Sequence, residues 1–261
     1  MIKVTNTENL TGVTISGTHD DIHQIYEAIG RVIGPGLSED ATSLRILGVS
    51  YDLRHCFMGD REIEIVENNY DEDLQRYHEM IHSKTNVRFK VNILWLEVMF
   101  AVLALDDFVN KYKDDKIFNK MMKDAGCEDE VKAYYANNRY EDIALVNLFQ
   151  EKVWTAFREA CGDAAYKRLY KKARNQEYHF AVITNYRGFC TQYLDRLEMK
   201  YIHSKPEKRE KLLATLVRKI IVQGDDYLQV EDDIMAYALR HHLPKEEIVF
   251  SDVEYPEVIE W

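Results

Sequence analysis

Residues 44–66, LRILGVSYDLRHCFMGDREIEIV, are the stretch on which the fold turns. They read as two strands, Leu44–Phe57 and Arg61–Glu67, joined by a tight turn at Gly59-Asp60. A strand that only covers a core alternates apolar and polar residues. These two instead gather Asp52, Arg54, His55, Arg61, Glu62 and Glu64 around the turn, where a site can sit. A two-residue turn would set the register so that His55 faces Glu64, Phe57 faces Glu62 and Arg54 faces Ile65. A histidine flanked by two carboxylates is arranged as a general base, as part of a metal site, or as a plain cross-strand ion pair worth about 0.2–1 kcal/mol. Asp52 with Glu62 and Glu64 also has the outline of acidic residues that hold magnesium on a nuclease hairpin. The lysine that such sites carry after the second acid is absent.

Upstream, Ile2–Thr5 and Gly12–Ser16 read as short strands. Thr18 then caps a helix, with Asp20 and Asp21 in the first turn, where the helix dipole favours negative charge. Ile22, Ile25, Tyr26, Ile29, Val32 and Ile33 follow at helical spacing, and Gly34-Pro35-Gly36 stops the helix. The expected order is therefore β-β-α-β-β, a small and mainly antiparallel sheet with one helix on a face, supplied by residues 1–70.

Downstream, the period changes from 2 to 3.6 near Val87. Asn92–Tyr112 reads as a helix whose first half is apolar all round, so it should run through the middle of the fold. Glu97 stands alone in that apolar run. An unpaired buried carboxylate is costly, so it should take a proton or find a partner such as Arg54 or Arg45. Asn138 and Glu141 look like the start of a helix over Arg139–Cys161, and Gly162-Asp163 restarts a shorter one over Ala164–Arg174. Further helices are expected over Thr184–Ile202, Pro206–Val222 and Val230–His242. The acidic tail 244–261 carries enough large apolar residues to pack onto the body, or to add an edge strand. No linker divides the helical part, 87–243, from the sheet. The fold class expected is a single α+β unit, predominantly helical.

The totals bound the function. A chain of 261 residues, 46% hydrophobic and 30% charged, has ample surface for one large core. No signal peptide opens it, and its most apolar run, Ile93–Leu105, is shorter than the ~20 residues that cross a bilayer. Cys56, Cys127, Cys161 and Cys190 lie far apart without CxxC spacing, which predicts reduced thiols and a cytoplasmic location without a zinc site.

Charge is uneven. Between Asp163 and Ile220 there are fourteen Lys or Arg against six Asp or Glu, a local net of +8 that leaves −19 for the rest of a chain of −11. Lys167, Arg168, Lys171, Lys172 and Arg174 stand beside Tyr166 and Tyr170, and Lys205, Lys208, Arg209 and Lys211 form a second group. A face with Lys167, Lys171, Arg174 and Lys208 suits an anion, and interleaved tyrosines suit nucleic acid. The acidic total works against unaided nucleic-acid affinity, and such faces can equally be solvated or dock acidic parts of the same chain. Arg240-His241-His242 is explained by the helix dipole at a C-terminus. The chain contains no GxGxxG, phosphate-loop, HExxH or GxSxG motif, and no cofactor is implied.

Two pieces, LTGVTISGTHDDIHQIYEAI and LGVSYDLRHCFMGDREIEIVENN, together with NILWLEVMFAVLALDDF, resemble a family of bacterial proteins of unknown function found mainly in Firmicutes. The resemblance covers roughly the first 110 residues. It implies a bacterial cytosolic protein and assigns no active site. Two classes of function follow from the residues: a non-enzymatic binding or regulatory module, with a protein partner or a second copy among its partners, and a metal-dependent hydrolase acting on phosphate esters or nucleic acid through the hairpin carboxylates.

Overall fold

Residues 44–57 are not a strand but the body of a helix, and that correction reorganises the first third of the molecule. The computed structural model describes residues 1–35, 40–68, 73, 83–174, 186–250 and 253–261. Strands β1 (Lys3–Asn6) and β2 (Gly12–Gly17) are followed by two helices, α1 (His19–Ile33) and α2 (Ala41–Phe57), then β3 (Glu62–Glu67) and β4 (Thr85–Leu94). The four strands form one antiparallel sheet in the order β1-β2-β4-β3. The expected α+β class stands, with two helices rather than one between the halves of the sheet.

The reason for α2 is legible once the burial is known. Ile46, Val49, Ser50, Leu53 and Cys56 are buried while Leu44 and Tyr51 face solvent, a period of 3.6 and not 2. Asp40 caps the helix by accepting from the Ser43 backbone N–H at 2.9 Å and the Ser43 hydroxyl at 2.9 Å. Thr18 caps α1 as expected, in a capping box in which Asp21 returns a bond to the Thr18 N–H at 3.1 Å.

The period changes at Trp95, eight residues later than expected. Phe89, Val91 and Ile93 still alternate, and they make β4 the strand that joins both halves of the sheet: Val13 pairs with Ile93, Ile15 with Val91 and Ile63 with Phe89. Part of the sheet therefore lies outside residues 1–70. Helix α3 (Trp95–Lys113) follows without a loop and is buried on every side from Trp95 to Leu105 except at Glu97, which places it through the centre.

Around α3 pack α4 (Asp115–Asp124), α5 (Asp129–Arg174), α6 (Thr191–Ile202) and α7 (Pro206–Val222), and α8 (Asp225–His241) packs on α6. Asn138 does not start a helix; it lies inside α5 and donates to the Tyr134 carbonyl at 2.8 Å. The expected break is present, because Gly162 at φ 80° bends α5 into two arms. Helix α8 begins at Asp225, one turn before Val230.

Two buried guanidinium sites lock the layers. Arg31 on α1 donates from Nε and Nη2 to the Asp142 carboxylate on α5 at 2.8–3.0 Å, and Asp142 also accepts from the Tyr112 hydroxyl at 3.0 Å. Arg209 on α7, read above as part of a basic group, is buried and spent inside the protein. It donates to the carbonyls of Asn9 (2.7 Å), Ile202 (3.0 Å) and Ser204 (3.2 Å) and to Thr11 Oγ1 (2.5 Å). Thr11 in turn donates to the Glu260 carbonyl, and Asn9 Nδ2 donates to the Trp261 carbonyl at 2.9 Å. The tail is thus fastened to the β1–β2 turn, and no strand forms among its described residues. Among the described residues no helix is long and apolar enough to cross a membrane.

Candidate functional site

Because α2 is a helix, the hairpin register fails. His55 lies on α2 with its Nδ1 2.7 Å from Asp60 Oδ2, and no contact joins it to Glu64. The charges around residue 60 still converge, by a different route. Arg61 Nη2 meets Asp52 Oδ1 at 2.8 Å, and Lys90 on β4 meets Glu64 at 3.1 Å and Glu62 at 3.6 Å. Arg54 lies over the Tyr51 ring at 5.1 Å. These pairings spend Asp52, Glu62 and Glu64 on cations, and among the described residues no group of three His, Cys, Asp or Glu is arranged to hold a metal.

A cleft of about 770 Å³ opens between α2 and β4, within the size range of small-molecule sites. One wall is a single face of α2, made by Leu44, Arg45, Gly48, Val49, Tyr51 and Asp52. The floor is β4 from Lys90 to Leu94, and Arg61 and Glu62 close the rim. Ile259 and Trp261 of the tail form the far end. Asp52, Arg61 and Glu62 therefore border the cleft as expected of a site, whereas Arg54, His55 and Glu64 do not line it.

Two glycines shape the cleft and its surroundings. A Cβ on Gly48 would meet nothing within 4 Å, so this position leaves the helix wall open. A Cβ on Gly12 would lie 2.1 Å from the Ile93 carbonyl oxygen and 3.0 Å from Trp261 Cζ3, so only glycine allows β2, β4 and the tail ring to approach. Asn92, also in the floor, is held by the Thr14 hydroxyl at 2.7 Å.

The inner end of the cleft is a carboxyl cluster. Glu97 on α3 accepts from Arg45 Nη1 at 2.9 Å, and Arg45 Nη2 also binds Asp195 on α6. Arg45 was one of the two partners expected for Glu97, reached from a helix instead of a strand. Glu198, one turn beyond Asp195, is fully buried, and the Leu96 backbone N–H gives it only weak compensation, with no partner at full hydrogen-bond geometry among the described residues. Burial pushes Glu198 well above the usual carboxylate range, and the charges of Glu97 and Asp195 push the same way against Arg45. Burial raises Glu97 as well, opposed by Arg45. One guanidinium faces three carboxyls, which favours keeping a proton in the cluster, and a protonated Glu198 can donate to Glu97. The polar helix α6 gave no sequence signal of this pairing, because Asp195 and Glu198 are ordinary acids until the fold brings them to α3.

The expected anion face divides. Lys167 pairs with Asp163 at 4.0 Å, Arg174 is tied to Asp106 (3.3 Å) and Glu151 (3.2 Å), and Lys171 and Lys208 are exposed. Their sequence neighbours Arg168, Lys172 and Lys211 turn instead, with Arg218, into one groove between the distal arm of α5 and α7. Arg240 and His241 end α8, and His242 takes a left-handed conformation at φ 55° just beyond it.

The chain belongs to the family described as a domain of unknown function, DUF6904, whose model matches residues 2–261. The match includes the helical part as well as the sheet. No curated protein and no solved structure matches the chain.

Proposed function

We propose that the protein is a non-catalytic binding or regulatory module that takes a small, net-neutral ligand in the cleft between α2 and β4. The observation that carries this reading is the charge balance of the lining. Six charged side chains line the cleft, Arg45, Arg61 and Lys90 against Asp52, Glu62 and Glu97, and each is already in an ion pair with another of the six. A ligand with a net charge would meet an opposing partner already committed, and it would leave one buried or half-buried charge uncompensated. A compact zwitterion or neutral polar molecule keeps every pair and gains contacts with Leu44, Val49, Leu94 and Trp261.

A bacterial cytoplasmic setting is part of the proposal, supported by four free cysteines of which Cys56 and Cys190 are buried. The metal-dependent hydrolase stands second, since Asp52, Glu62 and Glu64 are already spent on Arg61 and Lys90. Trp261 supplies the test, because the other two tryptophans, Trp95 and Trp154, are buried in the core. A thermal-shift screen of neutral, zwitterionic and phosphorylated small molecules should find hits in the first two groups that also change Trp261 fluorescence. Those changes should vanish in Trp261→Phe. Hits confined to divalent metals and phosphate esters would favour the hydrolase.

A further inference from the structure

We propose a second binding site, for a phosphate-bearing small molecule of nucleotide size, in the groove between the distal arm of α5 and α7. The groove encloses about 580 Å³, and Arg168, Lys172, Lys211 and Arg218 line it against one carboxylate, Glu210. Residues 165, 168, 169 and 172 share one face of α5, and 211, 214, 215 and 218 share one face of α7, so two helices aim their cations at a single space. The bend at Gly162 makes this possible by turning the distal arm, and the Cys161 thiol ties the bend to α7 through the Glu210 carbonyl at 3.5 Å.

Three of these cations are available. Most arginines outside this groove are paired or buried, whereas no ion pair involves Arg168, Lys211 or Arg218 among the described residues. Burial pushes the Cys161 thiol up to about 12, so it adds no negative charge at neutral pH. Arg168, Lys211 and Arg218 repel one another, and an anion with several oxygens removes that cost while accepting charge-assisted bonds from two guanidinium groups. The floor, made by buried Leu169 with Ala165 and Ala214, is apolar and uncrowded, which leaves room for a ring beside the phosphates. A long polyanion is the poorer fit. It would extend beyond the groove along a chain whose net charge outside residues 163–220 is −19, whereas a nucleotide keeps its charge inside.

Isothermal titration with inorganic pyrophosphate, ADP, ATP and a ten-nucleotide single strand, each at 50 and 200 mM NaCl, tests the proposal. The full chain should bind ADP or ATP saturably, with affinity falling at the higher salt. The double variant Arg168→Glu/Lys211→Glu changes exposed side chains, so its melting temperature should stay near that of the parent while binding weakens at least tenfold. Lys120→Glu, on the remote helix α4, should bind like the parent. Three results would overturn the site: no saturable binding of any small phosphate probe, binding untouched by the double reversal, or an oligonucleotide that binds tenfold more tightly than ATP.

Discussion

Arg45 on α2 and Glu97 on α3 meet at 2.9 Å, at the inner end of the cleft and beside two further acids, Asp195 and Glu198. The pair joins the helix that the local pattern disguises to the one it displays most openly. It also explains why a carboxylate survives in the most apolar run of the chain. Glu97 is the point where the central helix reaches the wall of the cleft.

The cluster predicts an unusual pH dependence. Folding raises the pKa of Glu198 above its unfolded value of about 4.5, so the native state holds a proton that the unfolded chain has released. The associated stability is fully present below about pH 4.5 and is lost as pH rises through the folded value. Glu198→Gln carries a neutral amide that can donate to Glu97 at every pH. Urea denaturation between pH 5 and 9 should show the parent losing stability with rising pH and the variant losing less. Equal slopes in the two proteins would place the proton elsewhere.

The Arg31–Asp142 site predicts a large stability loss. Asp142→Ala takes the two-pronged carboxylate from a mostly buried guanidinium, which keeps only the Glu27 carboxylate at 3.0 Å, and leaves the Tyr112 hydroxyl with only the Tyr135 carbonyl at 3.3 Å. The expected cost is about 1.5–3 kcal/mol, that of hydrogen bonds to a charged group, read as a shift of the urea midpoint at unchanged m-value. A change below about 1 kcal/mol would show that α1 and α5 are held by apolar packing alone.

Gly12→Ala should be disproportionately costly for a single methyl group. The new Cβ would have to push the Ile93 carbonyl away, and Trp261 lies on the same side. Overpacking of this kind costs about 1–3 kcal/mol. The loss should be accompanied by a change in Trp261 emission, because the tail must shift with the strand. Unchanged emission with full stability would mean that the strands separate without moving the tail.

The α+β class, the capped first helix, the apolar central helix and the bend at Gly162 were all readable from local pattern, because each rests on neighbours within one or two turns. Residues 44–57 were not. Leu44, Ile46 and the β-branched and aromatic residues after them satisfy a strand period nearly as well as a helical one. Only burial of Ile46, Val49 and Leu53 against α1 and α3 decides between them. Three of the six charged residues around the turn still meet at one cleft. Asp52, Arg61 and Glu62 border the cleft because the short connection at Gly59-Asp60 keeps the end of α2 beside the start of β3, whichever structure residues 44–57 adopt. Asp195, Glu198 and Trp261 could not have been found, since they reach the site from about 100 residues away or more.

Gly48 offers the most direct test that the cleft between α2 and β4 is a binding site. Gly48→Leu points a large side chain into open space, and replacing a helical glycine by leucine favours the helix by up to about 1 kcal/mol. The variant should therefore fold at least as well as the parent while filling the cleft. The measurement is a protein-observed NMR screen of neutral and zwitterionic fragments against both proteins. In the parent, shifts should cluster at Leu44, Gly48, Asn92 and the Trp261 indole N–H; in Gly48→Leu the same fragments should leave the Leu44, Asn92 and Trp261 signals unmoved. Fragments that bind the variant as they bind the parent, or that cluster away from these residues, would contradict the account.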